Sequence, residues 1–143
     1  MAIPKHLRLE FVTPERSVVH AEVDEVQLPG EEGYFGVLPG HAPMLAALRT
    51  GPMWYRAGNE TKHAFVDGGF AEVLPDRVSV LAQVAERAED IDHARAEAAK
   101  RRAEERLAKS SAAVVDLSAE EARGALERAN ARLALTRQGR PRS

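Results

Sequence analysis

The chain has 143 residues, of which 44% are hydrophobic and 29% charged, so it has the length and composition of one folded domain, or of one domain with a small appendage. Its 20 basic side chains are balanced by 22 acidic ones, which argues against a strongly basic nucleic-acid binder. The absence of cysteine excludes disulfides, thiolate metal sites and cysteine nucleophiles.

The composition changes near residue 86 and divides the chain into two parts. All seven aromatic residues and seven of the eight prolines lie before that point, whereas residues 86–138 contain 15 alanines and no proline. We therefore predict a first domain over residues 1–86, a helical domain over residues 87–138 and a flexible tail over residues 139–143.

Short runs of alternating apolar and polar residues, separated by turn signals, predict β-strands in the first domain. Leu7, Leu9 and Phe11 alternate with charged residues, and the alternation slips at Asp24 and Glu25, which predicts a β-bulge. Further runs cover residues 54–56, 61–66, 70–74 and 78–84. This many short strands in one domain is typical of a β-sandwich or flattened barrel.

Alanine-rich periodicity predicts two helices in the second domain. Asp90 is the predicted N-cap of the first helix, and Asp92 adds negative charge near its positive end. Ser110-Ser111 ends that helix, and Ser118 to Glu121 fit a capping box for the second. Each helix carries one apolar stripe, formed by Ala96, Ala99, Ala103 and Leu107 in the first and by Ala122, Leu126, Ala129 and Leu133 in the second.

The connector between the two helices is short, so we expect them to pack antiparallel as a hairpin. Alanine stripes bury little apolar area, at about 25 cal/mol per Å². We therefore expect the hairpin to dock weakly and to be suited to changing place.

No catalytic motif is present. The sequence lacks a Gly-x-Ser-x-Gly elbow, a His-Glu-x-x-His zinc motif and a Gly-Lys-Ser/Thr phosphate loop. None of the five histidines pairs with another at ligand spacing on a predicted helix. We therefore expect a non-catalytic chain without a metal site.

His41 stands in a predicted loop between Pro39-Gly40 and Ala42-Pro43. One interpretation is a loop histidine whose ring bonds the local backbone, and spacing alone favours it. The other is a contact residue on an exposed, proline-stiffened loop, where binding residues often lie.

Arginines recur on one face of each predicted helix. Arg95 and Arg102 are seven residues apart, and Arg128 and Arg132 are four apart. Antiparallel packing would bring arginines from both helices together beside Asp92. Arginine forks suit phosphate oxygens. From spacing alone, however, a solvated face with weak surface ion pairs is the favoured explanation.

Three longer motifs are highly specific. They are Glu32-Gly-Tyr-Phe-Gly-Val-Leu-Pro-Gly-His-Ala-Pro43, Gly68-Gly-Phe-Ala-Glu-Val73 and Asp76-Arg-Val-Ser-Val-Leu-Ala82. Together they resemble the epsilon subunit family of the F-type ATP synthase, and the resemblance extends from Leu7 to Leu135. The family's order of modules, a β-sandwich followed by a helical hairpin, matches the division made above.

This resemblance implies a non-catalytic rotor subunit of the central stalk, which couples proton flow to ATP synthesis. The sandwich would bind the gamma subunit and the membrane ring of c subunits, with Tyr34 and His41 in the loop that faces the ring. Some relatives carry a carboxylate at the position of Tyr34. The hairpin would lie folded on the sandwich, or extend to the alpha and beta subunits and inhibit ATP hydrolysis.

The resemblance also implies a location. The first residues contain no apolar signal segment and no transit peptide, and residues 33–48, the longest uncharged stretch, are too broken by proline and glycine to span a bilayer. We therefore expect a peripheral protein on the cytoplasmic side of a bacterial plasma membrane.

Ile91-Asp92-His-Ala-Arg95-Ala96 resembles a motif through which some family members bind ATP on the folded hairpin. The resemblance implies a nucleotide site made of Glu86, Ile91, Asp92, Arg95, Ala96, Arg102, Arg128 and Arg132. ATP would act there as a regulatory ligand, and no cofactor would be required. One departure from the family is Asp67, which stands where a serine is common before Gly-Gly-Phe.

Without the resemblance, the residues alone describe a β-sandwich adaptor with a helical arm that binds proteins. That alternative stays open at this point, and co-purification with a gamma subunit distinguishes it from a stalk component.

Overall fold

The computed structural model of the chain describes residues 2–109 and 117–139, the last three by their backbone alone. The described residues form ten strands, β1 (Leu7–Val12), β2 (Ser17–Val23), β3 (Glu25–Gly30), β4 (Gly33–Val37), β5 (Met44–Leu48), β6 (Gly51–Ala57), β7 (Glu60–Asp67), β8 (Gly69–Leu74), β9 (Arg77–Leu81) and β10 (Val84–Arg87). A 3-10 turn at Ala88–Asp90 leads into two helices, α1 (His93–Lys109) and α2 (Leu117–Gly139).

The architecture confirms the predicted β-sandwich followed by a helical hairpin. The predicted helix end at Ser110-Ser111 lies outside the described residues, as do positions 140–143 of the predicted tail. Gly139, the first residue of that predicted tail, is the last residue of α2. Across the described residues, no helix combines the length and the apolar character that a membrane span requires.

The strands form one nearly closed, flattened sheet. Its order is β10-β7-β6-β3-β5-β8-β9-β1-β2, and β4 pairs with β3 outside that path. β1 runs parallel to β9, whereas it is antiparallel to β2. β6 and β7 form a hairpin around Gly58 and Asn59, where Gly58 has a φ of 62°, as expected for a tight turn with a left-handed residue.

Alternate strand residues fill the sandwich core. Leu7, Leu9 and Phe11 of β1 are fully buried, as the alternation predicts. They pack in one cluster with inward residues of the other strands, among them Val26, Leu28, Val37, Met53, Val66, Val73, Val78 and Val80. Each large apolar side chain contributes about 1.5–3 kcal/mol on full burial, so the sandwich has a core of its own.

The predicted bulge at Asp24 and Glu25 is wrong, because the chain changes strands there. β2 ends at Val23 and β3 begins at Glu25. The Asp24 carboxylate accepts hydrogen bonds from the Gly58 backbone N–H and from His6 Nδ1, both at 2.7 Å. Both contacts lower the pKa of Asp24 from its ordinary value, and the hydrogen bond from the Gly58 backbone has the larger effect.

The N-terminus of α1 is capped by Asp92, not by Asp90 as predicted. Asp92 Oδ1 accepts a hydrogen bond from the Arg95 backbone N–H at 3.1 Å, as an N-cap side chain does. Asp90 lies earlier, in the 3-10 segment, and accepts from Arg87 Nε at 3.0 Å. The 3-10 turn therefore delays the helix by two residues.

The capping box predicted at Ser118 is also corrected. α2 begins at Leu117, so Ser118 lies within its first turn. The Ser118 hydroxyl accepts a hydrogen bond at 2.9 Å from Arg106 of α1, whose guanidinium also lies 3.5 Å from Glu121. At this end of the hairpin, Arg106 therefore joins the two helices.

The predicted apolar stripes are buried in part, since Ala99, Leu107 and Leu126 are only half-buried. Ala96 and Ala103 of α1 and Ala122, Ala129 and Leu133 of α2 are buried. α2 also docks on the sandwich through a second, small cluster made of Phe65, Ala88, Ile91 and Leu135. This cluster is separate from the sandwich core, so docking depends on few apolar contacts.

Thr136 adds one polar tie between the two helices. Its hydroxyl is buried and donates to the Leu133 carbonyl at 2.8 Å, so it is left as an acceptor for His93 Nδ1 at 2.9 Å. The start of α1 is thereby held against the last turns of α2.

We predict that the stabilising effect of Asp24 depends on pH. Because its pKa is lower in the folded chain, its contribution is complete above its ordinary pKa of 3.8 and is lost as the pH falls below that value. Asp24→Asn should lower the free energy of unfolding at about pH 6 and have a smaller effect at about pH 3. Denaturant unfolding across this range measures the difference. An exposed control, Glu15→Gln, should show no such trend, and an equal effect of Asp24→Asn at both pH values would contradict the assignment.

Candidate functional site

A cavity of about 500 Å³ lies where the hairpin meets the edge of the sandwich. Four groups of residues line it: Val84 and Glu86 from β10, Asp90 and Asp92 from the turn before α1, Arg95, Ala96, Ala99 and Arg102 from α1, and Ala125, Arg128 and Arg132 from α2. Seven of these side chains are charged. Small alanines between them leave the space open.

The local structure explains why these residues converge. Val84 and Glu86 are two apart on β10, so both point to the same face of the strand. Arg95 and Arg102 are seven apart on α1, and Arg128 and Arg132 are four apart on α2, so each pair shares a helix face.

Seven of the eight residues predicted for a nucleotide site line this cavity. They are Glu86, Asp92, Arg95, Ala96, Arg102, Arg128 and Arg132. Ile91 is the exception, because its side chain is buried in the docking cluster with Phe65, Ala88 and Leu135. Ile91 therefore helps to hold the hairpin on the sandwich and does not face the cavity.

Arg132 joins α2 to the sandwich. Its Nη2 and Nε lie 2.7 and 2.9 Å from the same carboxylate oxygen of Glu86, and both side chains are only about one quarter exposed. The guanidinium carbon also lies 4.4 Å from the centre of the Phe65 ring, in a cation–π contact. Arg132 is thus committed to contacts within the protein.

Arg128 is held much more loosely. Its Nε lies 3.9 Å from Asp67 Oδ2, beyond hydrogen-bond distance. Its guanidinium folds back over Gly124, where an added Cβ would lie 3.3 Å from Nη1. Sequence reasoning does not place Asp67 in a site; the signal available in the sequence is its position two residues after Phe65 on the same strand.

Arg95 and Arg102 are exposed. Within residues 2–109 and 117–136, their guanidinium groups have no hydrogen-bond or ion-pair partner. Asp92 uses one carboxylate oxygen to cap α1. The cavity thus combines two free arginines, one loosely paired arginine and a helix cap, an arrangement suited to an anion with several phosphate oxygens.

The second predicted contact region is the loop between β4 and β5. His41 Nδ1 donates to the Ala42 carbonyl at 2.7 Å, which is the local backbone contact favoured from spacing. Tyr34 is exposed on β4, with the Arg49 guanidinium 5.4 Å from its ring centre. Leu38 and Met44 are also exposed beside this loop.

The outer face of β5, β8 and β9 carries a further apolar surface. Leu45, Phe70 and Leu81 are 71%, 54% and 57% exposed. The strand register places Phe70 opposite both Leu81 and Ala47. Leu45 is two residues from Ala47 on β5, so Leu45, Phe70 and Leu81 lie on the same face of the sheet. Contiguous exposed apolar residues on a folded domain indicate a protein-binding surface.

No metal site emerges among the described residues. In that part of the chain, no three or more His, Asp or Glu side chains are grouped so that they could hold a metal ion.

Both domains match known family models. Residues 6–88 match the β-sandwich domain of the ATP synthase delta/epsilon chain, and residues 89–137 match the long α-helix domain of the same chain. The chain therefore belongs to the ATP synthase delta/epsilon family, as its resemblance predicted.

Two relatives with about half of their residues identical to this chain are both ATP synthase epsilon chains. The chain is 53% identical over 129 residues to the ATP synthase epsilon chain of Nitratidesulfovibrio vulgaris (strain DP4), covering 90% of this chain and 94% of the relative. It is 52% identical over 132 residues to that of Solibacter usitatus (strain Ellin6076), covering 92% and 96%.

A solved structure supports the same fold. A chain in the cryo-EM structure of the Euglena gracilis mitochondrial ATP synthase, OSCP/F1/c-ring in rotational state 1, superposes with a TM-score of 0.80 and 24% identity. The match covers 94% of this chain and 83% of the Euglena chain. At this identity the likeness establishes the fold alone.

We predict that Arg132 holds the hairpin in place. Arg132→Gln leaves Glu86 without its partner and removes the contact with Phe65, so docking should weaken by about 1–3 kcal/mol. Hydrogen exchange of α2 backbone amides should accelerate while that of the sandwich strands stays the same. Arg123→Gln, on the exposed side of α2, is the control. Unchanged exchange in α2 of the Arg132 variant would show that the pair does not secure the hairpin.

Proposed function

We propose that the chain is the epsilon subunit of an F-type ATP synthase, a non-catalytic rotor component of the central stalk that couples proton flow to ATP synthesis. The observation that carries the proposal is the match of both domains to one family, at 53% identity to an epsilon chain over 90% of this chain. The Euglena structure is of an assembly of OSCP, F1 and c-ring, the kind of assembly proposed for this chain.

The sandwich is the proposed anchor in the stalk. It has a core of its own and it exposes Leu45, Phe70 and Leu81 on one outer face. We assign that face to the gamma subunit, because an exposed group of apolar side chains on a folded domain is typical of a protein-binding surface. Tyr34 on β4 and His41 in the loop that follows this strand are assigned to the c-ring. The protein would lie on the cytoplasmic side of a bacterial plasma membrane.

We predict that Phe70 is central to gamma binding. In the full chain, Phe70→Ser removes an exposed aromatic ring from the middle of the apolar face and should weaken binding to purified gamma subunit about tenfold or more. Surface plasmon resonance with immobilised gamma gives the affinity. Leu117→Ser is the matched control, since Leu117 is 73% exposed but lies on the hairpin. An equal loss of affinity for gamma in both variants, or no loss in Phe70→Ser, would refute the assignment of this face.

The cavity supports a second, regulatory function, the binding of ATP. Its polar groups come from β10, the turn before α1, α1 and α2, so they converge only while the hairpin is folded on the sandwich. A ligand that binds one state stabilises it by RT ln(1 + [L]/Kd), about 2.7 kcal/mol at a hundredfold excess over Kd. That is comparable with the effect expected from the few docking contacts of α2.

The consequence is a hairpin whose position follows the ATP concentration. Bound ATP would hold the hairpin folded. When ATP falls, the hairpin would extend toward the alpha and beta subunits and inhibit ATP hydrolysis. In this proposal Arg95 and Arg102 contact phosphate oxygens, and Arg132 holds the cavity wall together.

We predict that Arg102 contributes directly to ATP affinity. Arg102→Ala removes a free guanidinium from the cavity and should weaken ATP binding about tenfold, the scale of one charge-assisted hydrogen bond. Calorimetric titration of the full chain with ATP, with and without magnesium, measures the affinity.

Arg101→Ala is the matched control for this experiment. Arg101 is adjacent in sequence but faces a groove on the other side of the hairpin, with His93 and Glu97. The control should bind ATP like the parent. In the assembled complex, Arg102→Ala should raise inhibition of hydrolysis at a given ATP concentration. ATP affinity equal to that of the parent would exclude Arg102 from the site, and unchanged inhibition despite weak binding would refute the regulatory coupling.

A further inference from the structure

We infer that Asp67, beside the cavity, lowers its affinity for phosphate, because the negative charge next to Arg128 opposes an anion that approaches this arginine. The inference rests on the proposed ATP site and concerns what limits its affinity. It is drawn from the position of Asp67 beside the cavity and from its contacts.

The spacing of two elements sets this pairing. Phe65 and Asp67 are two residues apart on β7, about 6.7 Å along a strand. Arg128 and Arg132 are four residues apart on α2, about 6 Å along a helix. The two intervals nearly match, so Arg132 over Phe65 brings Arg128 opposite Asp67.

The Asp67 carboxylate is held in a defined orientation. The Thr50 hydroxyl donates to its Oδ1 at 2.5 Å, which leaves Oδ2 directed toward Arg128. The side chain of Asp67 is 24% exposed and that of Arg128 is 38% exposed, so the pair is partly screened by solvent.

The distances separate the roles of the two arginines. Arg132 makes close contacts with Glu86 at 2.7 and 2.9 Å, whereas Arg128 Nε stays 3.9 Å from Asp67. The Arg128 guanidinium therefore interacts electrostatically with the negative charge of Asp67 but makes no hydrogen bond to it. A phosphate oxygen that approached Arg128 would meet this charge as a like-charged neighbour.

The sum of formal charges at the site also indicates that Asp67 disfavours a bound anion. The cavity lining carries four arginines and three carboxylates, a net charge of +1. Asp67, beside Arg128, brings the local sum to zero. Neutralising Asp67 restores a net positive site, which an anion with several charges prefers.

Asp67→Asn tests this directly, because asparagine keeps an oxygen for the Thr50 hydroxyl and replaces the charged Oδ2 by a neutral amide group. Calorimetric titration of the full chain should show that ATP and inorganic tripolyphosphate both bind about two- to fivefold more tightly to Asp67→Asn than to the parent. Asp76→Asn makes the same chemical change in the exposed β8–β9 turn and should leave both affinities unchanged.

A double variant locates the effect. If Asp67 acts through Arg128, the gain should disappear when Asp67→Asn is introduced into an Arg128→Gln background. The inference is overturned if the gain in ATP affinity persists in the Arg128→Gln background. It is also overturned if Asp76→Asn raises the affinity as much as Asp67→Asn does.

The remaining outcomes separate this inference from the proposed function. If the parent binds ATP and Asp67→Asn binds it with the same affinity, the site stands and the role of Asp67 is refuted. If neither the parent nor Asp67→Asn binds ATP or tripolyphosphate at millimolar concentration, the proposed ATP site itself is wrong, and the inference falls with it.

Discussion

The contact of Arg132 with Glu86 and Phe65 is the interaction on which the arrangement of the two domains depends. It joins the last third of α2 to β7 and β10, and it combines a charge-assisted pair with a cation–π contact. Through it, the register of α2 on the sandwich is set, and with that register the position of every arginine in the cavity. The apolar cluster of Phe65, Ala88, Ile91 and Leu135 adds burial to the same contact.

The separation of the two apolar clusters explains how one chain can combine a rigid part with a movable part. The core of the sandwich is filled by its own strands, and no α2 side chain that the structure describes, up to Thr136, belongs to it. Release of the hairpin would therefore expose the small docking cluster and leave the strands packed. In energetic terms, such a movement is an undocking of one element and not a partial unfolding of the domain.

Much of the fold could be predicted because local patterns determine it. The alternation at Leu7, Leu9 and Phe11 and the alanine stripes of the helices are visible in the sequence, and burial confirms the alternation in full and the stripes in part. The prediction of an N-cap at Asp90 is wrong because either aspartate suits a cap, and only the 3-10 turn, which has no clear local signal, places Asp92 there. The bulge predicted at Asp24 failed because a slip in alternation also occurs where one strand ends and another begins.

The candidate site was predictable only in part, and for a tertiary reason. The arginines and Asp92 could be brought together from their spacing on the helices, and the family resemblance added Glu86. Asp67 could not be found in this way, because its approach to Arg128 depends on the register of a helix over a strand that lies about 60 residues earlier. Ile91 was assigned to the site by its motif, but its apolar side chain is buried in the docking cluster.

Gly124 shows how the helix itself contributes to the reach of Arg128. A glycine within a helix costs about 1 kcal/mol relative to alanine, so its presence in α2 weakens the element that carries the arginines. In return, the missing Cβ leaves room for the guanidinium of Arg128, which would otherwise be 3.3 Å from it. Helix stability and side-chain placement are therefore coupled at one backbone position: a residue chosen to stiffen α2 would also displace the Arg128 guanidinium by a few tenths of an ångström.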